Sequence, residues 1–226
     1  MCGQYTLRTP VEDLARFFHL PQTPDLTPRF NIAPTQPVPT VLVVTGDRQF
    51  RLMRWGLVPS WAKDLSIGSR MINARSETIA EKPAFRSALR ERRCLVMADG
   101  FYEWQRKGTT KQPYYVIKKG KSPFAFAGLW ERWQPPEGGD AVESCTIITT
   151  EANALVRTFH ERMPVILDQE DFDLWLAPSV TEPQRLLPLL KPYPAEKMEA
   201  YPVSSLVNSP GHDSGECIQP IPSIKS

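Results

Sequence analysis

The chain is predicted to be α+β, built on a curved, mostly antiparallel sheet or open β-barrel core with peripheral helices. Three observations predict this. Strand-like apolar runs outnumber helical stretches, and the connections between them are short. The 23 prolines are scattered along the 226 residues instead of forming a tract, which marks turns in a folded chain. No internal repeat or dividing linker is found, so residues 1–226 are expected to form one domain, with 207–226 mostly loop.

The elements follow in order. Thr9-Pro10-Val11-Glu12 reads as a helix opening, with Thr9 as N-cap and a first-turn proline, and the helix ends near His19. Pro21 to Pro39 is a proline-rich passage. Val38–Thr45 and Gln49–Trp55 read as paired strands around Gly46-Asp47. Gly56 to Ser76 reads as a long irregular loop, and Thr78–Arg92 as a helix that Pro83 must interrupt. Strands are expected at Cys94–Ala98, Pro113–Lys119, Phe124–Trp133 and Ser144–Thr150, then a short helix at Asn153–Phe159 and an extended Met163–Leu167. Asp168–Leu176 and Thr181–Leu190 are amphipathic and begin with capping residues.

Composition narrows the function. A net charge of +2 leaves any attraction for anions to local patches. Cys2, Cys94, Cys145 and Cys217 show no CxxC spacing, which argues against a zinc site or redox pair. Cys94 and Cys145 sit in apolar runs and read as buried, reduced thiols. Neither a signal peptide nor a membrane-length apolar run is present, so a cytoplasmic setting is expected. No metal and no organic cofactor is indicated.

Several groups could carry chemistry. Removal of Met1 leaves Cys2 with a thiol and a free α-amine on one residue, the amine ordinarily titrating near 7.7–8.0. Such a 1,2-aminothiol can attack an electrophile twice and close a five-membered ring, although Cys2 also fits a merely tolerant position. Arg70 to Glu77 contains Asn73, a donor and acceptor, and Arg75, a planar fork suited to phosphate. The same residues also fit a loop leading into a helix. In Asp99-Gly100-Phe101-Tyr102-Glu103-Trp104 a carboxylate is bracketed by aromatics, where desolvation raises its pKa, or it is a solvent-facing strand glutamate. Of the histidines His19, His160 and His212, His160 is the best acid/base candidate, since it sits at an element junction. Trp55, Trp61, Arg70, Arg75, Trp104 and the basic face of Arg86, Arg90, Arg92 and Arg93 suit base stacking and phosphate contact, or core packing and a solvated helix face.

Met1-Cys2-Gly3, Asn31-Ile32-Ala33-Pro34, Asn73-Ala74-Arg75-Ser76-Glu77, Asp99 to Trp104, and His160-Glu161-Arg162-Met163-Pro164 occur in one order along the chain. In that order they resemble the SRAP family, the SOS-response-associated peptidases, over essentially the whole length. The resemblance implies a DNA-damage-response shield for abasic sites in single-stranded DNA, in which Cys2 forms a thiazolidine with the ring-opened sugar aldehyde, reversibly and after self-removal of Met1. It assigns Glu103 to proton transfer at the amine, His160 to sugar ring opening and reversal, and Asn73 to holding Cys2 and the sugar in register. Arg75, Trp61, Arg70, Trp104, Arg86 and Arg162 become DNA contacts. The protein is expected to act as a monomer in the cytoplasm, on the nucleoid when bound to DNA, with replication-fork proteins as candidate partners. Gln4 stands where the family commonly has Arg, so one cation near the reactive end is lost. The competing readings are an N-terminal-nucleophile glutamine amidotransferase, a non-covalent single-strand-binding module, and a protease acting on other proteins.

Overall fold

The computed structural model describes residues 3–222. In chain order the strands are β1 (Tyr5–Leu7), β2 (Arg29–Ile32), β3 (Pro37–Val44), β4 (Asp47–Trp55), β5 (Asn73–Arg75), β6 (Arg93–Ala98), β7 (Gly100–Lys107), β8 (Thr110–Lys118), β9 (Phe124–Trp133), β10 (Val142–Glu151), β11 (Arg162–Pro164), β12 (Ile166–Leu167) and β13 (Met198–Pro202). The α-helices are short: α1 (Val11–Phe17), α2 (Arg86–Glu91), α3 (Phe172–Leu176) and α4 (Pro183–Leu186). No helix among the described residues is long and apolar enough to cross a membrane.

Two sheets organise these strands. In the larger, β4, β3, β6 and β9 pair antiparallel in sequence, and β10 closes the path by pairing with both β9 and β4. The result is the expected curved, mostly antiparallel sheet, closed into a five-strand ring. Among the described strands only the β10–β4 and β10–β5 contacts are parallel. β6 is buried along its whole length, which its run Cys94-Leu95-Val96-Met97-Ala98 permits. The β3–β4 hairpin turns through Thr45 and Gly46 at φ 52° and 96°, the pair of positive values that a twist-compatible two-residue turn requires.

The second sheet has the order β13-β8-β7-β1-β2. The chain passes from ring to second sheet at Asp99, between β6 and β7. The Asp99 carboxylate accepts from Thr6 Oγ1 at 2.6 Å, Arg8 N at 2.7 Å, Thr9 N at 2.8 Å and Thr9 Oγ1 at 2.9 Å. Gly100 follows because a Cβ there would lie 2.2 Å from the Tyr115 hydroxyl, which bonds Thr6 Oγ1 at 2.7 Å. The sheets pack through aromatics: Tyr5 of β1 meets Trp55 of β4 and Phe126 of β9 edge-on, and Phe101 of β7 also meets Phe126.

The helices depart most from expectation. Thr9 is not an N-cap: its hydroxyl and N–H are committed to Asp99, and Pro10 occupies the cap position without a side-chain bond. Regular α-helix in 78–92 is confined to α2, because Pro83 removes a donor and restricts its predecessor. Asn153–Phe159 holds one 3₁₀ turn, Val156–Thr158, whose first N–H is accepted by Asn153 Oδ1 at 2.9 Å. Asp168–Leu176 begins as a 3₁₀ turn, and α4 gives way to a 3₁₀ turn at Leu187. The passage 56–76 is not wholly irregular: it contains a 3₁₀ turn at Leu65–Arg70, capped by Asp64, and strand β5. The segment 207–226, read as mostly loop, is over its described residues to 222 a strap with buried Val207 and Cys217 packed on Tyr102 and Tyr115.

Candidate active site

The site lies where β1 begins and β7 runs on. Tyr102 N donates to Gln4 O at 3.0 Å, so the antiparallel register leads the chain start along β7 toward Glu103. Gln4 is buried, and its Nε2 donates to Asn31 Oδ1 at 2.7 Å and to Val207 O at 2.8 Å. Asn31 Nδ2 in turn reaches the carbonyls of Val207, Ser209 and His212 at 3.1, 3.1 and 2.9 Å. Asp213 of the same strap accepts from the Phe30 and Asn31 N–H groups and pairs with Arg29. The Asn31 motif is thus the anchor between chain start, β2 and strap. Gln4 faces inward and is part of a buried clamp. Cys2 lies outside the described residues.

Gln4, Glu103, Trp104, Arg106, Lys111, His160 and Asn208 line a cleft of about 410 Å³. Glu103 sits mid-strand, opposite Tyr114, but is only 2% exposed, so it is no solvent-facing strand residue. Burial, the leading cause, pushes its carboxyl up to about 7. Trp104 is half-buried, and its indole N–H donates to Asn208 Oδ1 at 2.7 Å.

His160 reaches this cleft because its loop is docked on the β7–β8 hairpin. Phe159 stacks on Tyr114 with ring centroids 4.4 Å apart, and Gln105 Nε2 donates to Thr158 O at 3.2 Å. His160 Nδ1 accepts from Arg162 N at 2.9 Å, which leaves the proton of the neutral ring on Nε2. Burial first of all holds its pKa below the ordinary imidazole value, so the ring is neutral at pH 7.

Asn73 and Arg75 sit on β5, paired with Ile147 and Thr149 of β10; Asn73 is half-buried and Arg75 exposed. Arg162, on β11 across β10, forms a fork with Glu77 and donates to Thr149 O at 2.7 Å. Its charge is therefore already paired. Trp61 is 60% exposed, and Arg70 and Arg86 are exposed. None of these residues lines the cleft, Asn73 included. The cleft residues that motif reasoning missed are Arg106, Lys111 and Asn208. Alternation along β7 could have flagged Arg106, since Trp104 and Arg106 share a face. Among the described residues no three His, Cys, Asp or Glu side chains gather as metal ligands.

Comparison with known proteins matches residues 1–210 to the family model described as SOS response associated peptidase (SRAP). The abasic site processing protein YoqW of Bacillus subtilis is 47% identical over 223 residues, covering 97% of this chain and 99% of its own. The abasic site processing protein HMCES of Xenopus tropicalis is 34% identical, covering 86% of this chain and 66% of its own. A crystal structure of a Bacteroides thetaiotaomicron protein superposes with a TM-score of 0.87 at 30% identity, over 97% of this chain and all of that one.

Proposed function

The chain belongs to the SRAP family, and from that premise we propose that it processes abasic sites by crosslinking itself to them in single-stranded DNA through Cys2. One observation carries the reading. The β1–β7 register leads the chain start to a cleft that holds a buried carboxyl near pH 7 and a neutral histidine with its proton on Nε2.

The chemistry follows from those groups. Met1 is removed first, which frees the α-amine of Cys2. His160 Nε2–H hydrogen-bonds to the ring oxygen of the sugar hemiacetal; as the ring C–O bond breaks, the C1 hydroxyl passes its proton to water and water returns one to the ring oxygen, giving an aldehyde and a free hydroxyl while His160 keeps its proton. The Cys2 amine adds to the aldehyde carbon, and Glu103 takes the amine's proton. Loss of water leaves an imine. The Cys2 thiolate then adds to the imine carbon and the nitrogen takes a proton, which closes a thiazolidine. Trapping by sulfur competes with β-elimination, the lyase outcome open to an imine. Reversal runs the same steps backward. Asn73 holds Cys2 and sugar in register. Trp61 and Trp104 stack unpaired bases, and Arg70, Arg75 and Arg86 attract the backbone, while Arg162 acts together with its partner Glu77.

The test is a denaturing gel with uracil-excised single-stranded DNA. A shifted, denaturation-resistant band is expected, lost in Cys2→Ala and after insertion of one alanine before Cys2, which keeps the thiol but moves the amine. An adduct that survives the insertion would sink the aminothiol mechanism. His160→Ala should slow adduct formation far more than it weakens binding to the same strand. Equal losses would contradict a role in ring opening.

A further inference from the structure

Among the described strands, three pairs of charged residues stand directly opposite one another. Glu143 faces Arg132 and Glu151 faces Arg162, each a pair of opposite sign. The third pair, Arg106 facing Lys111 on the β7–β8 hairpin, has like charges. Like charges in that position destabilise a hairpin, and directly opposed Cβ atoms stand only about 4.5–5.5 Å apart. Both residues are exposed, neither makes an ion pair with a described residue, and both line the cleft that holds Glu103 and His160. Among the described residues that line the cleft they are its two cations: Gln4 is neutral and turned inward.

We propose that Arg106 and Lys111 form a phosphate clamp that converges on one phosphodiester of the strand beside the reacting sugar. This rests on the reading of the cleft as a single-stranded DNA site. Repulsion between the two cations is relieved when an anion lies between them, so binding of the strand removes an electrostatic cost that the free hairpin carries. Trp104, two residues before Arg106 on the same face, offers its ring to the neighbouring base, so a base platform and a phosphate clamp stand one strand step apart. The clamp also supplies, from β7–β8, the positive charge that Gln4 does not.

The clamp is tested by anisotropy titration of a single strand carrying a tetrahydrofuran abasic analogue, which cannot open to an aldehyde. Wild type, R106Q/K111Q and the charge-keeping swap R106K/K111R are titrated at several salt concentrations, alongside the crosslinking gel with true abasic DNA. Loss of one phosphate contact should make the salt slope less negative by about 0.7 and weaken binding roughly 5-fold near 0.1 M salt. The swap should keep the wild-type slope, and the thermal midpoint of R106Q/K111Q should equal or exceed wild type. An unchanged slope and affinity in R106Q/K111Q, or a loss accompanied by a lowered midpoint, overturns the clamp while a wild-type crosslink leaves the functional reading standing. A wild type that neither binds the analogue nor crosslinks overturns both.

Discussion

Asp99 and Glu103 stand four residues apart, both buried, and the molecule treats them in opposite ways. Asp99 sits at the corner between the sheets and accepts four hydrogen bonds from Thr6, Arg8 and Thr9. Glu103 sits in the cleft, where burial pushes its carboxyl up to about 7. The first carboxylate holds the end of β1 against the ring. The second is kept poised between its two protonation states in the cleft-lining stretch of the same sheet. A buried carboxylate surrounded by donors holds structure together, whereas one raised by desolvation has the proton affinity that proton transfer near neutrality requires.

The contrast can be broken by substitution, beginning with the frame both residues share. Phe126→Ala removes the ring that meets Tyr5, Phe101 and Phe124 between the sheets, and should cost about 3–5 kcal/mol, read by denaturant unfolding. Asp99→Ala strands the Arg8 and Thr9 N–H groups and should cost about 3 kcal/mol, lowering the thermal midpoint at neutral pH. A loss below roughly 1 kcal/mol would show that the corner is not a clamp.

Glu103→Gln should have the opposite sign. The unfolded glutamate releases its proton near pH 4.3, whereas the folded one holds it to about 7, so wild-type stability falls as pH rises between those values. Above pH 7 the accumulated cost is about 4 kcal/mol, because each pH interval of one between the two values adds roughly 1.4 kcal/mol. Glu103→Gln should therefore unfold several degrees higher than wild type at pH 8 and close to it at pH 4. Crosslinking by wild type should accelerate through pH 7 as the carboxylate forms, and Glu103→Gln should flatten that rise. A variant less stable than wild type at pH 8 would mean that the carboxylate is a second Asp99.

Asn31→Ala frees Gln4 and the strap together and should cost about 1–2 kcal/mol while reducing crosslink yield. Trp61→Ala should have the smallest effect on folding, within about 0.5 kcal/mol, because the side chain is 60% exposed. Its effect should fall on single-strand affinity instead, at about 1–3 kcal/mol for one stacked base. A folding loss above 1 kcal/mol would move Trp61 from binding surface to core.

Most of the long strands were legible because period and turn chemistry are local, but β7, eight residues long and the bearer of Glu103, was not among the expected strands. β9 spans Phe124–Trp133 as expected, and β3, β4, β6 and β10 start and stop within two residues of expectation. β1, β5 and β13 have three to five residues each and exist because a neighbour offers an edge, which no local pattern announces. The helix opening at Thr9 failed for a related reason: a distant carboxylate outcompeted the helix for its hydroxyl and N–H. At the site, the motifs named Glu103 and His160 as chemistry-bearing residues, and the aromatic bracket pointed to a raised carboxyl. The Gln4–Asn31 clamp and the Arg106–Lys111 pair depend on which strands lie side by side.

By itself the sequence determined the class of fold, the strand-rich frame, and the residue types able to perform aminothiol, acid and base chemistry. These follow from side-chain chemistry and from periods of a few residues. Tertiary structure alone decided that β10 closes the ring, that β7 runs past the start of β1, and that Glu103 is removed from water beside a neutral His160. Burial and register are relations between segments separated by tens of residues along the chain, and they exist only once the chain has folded.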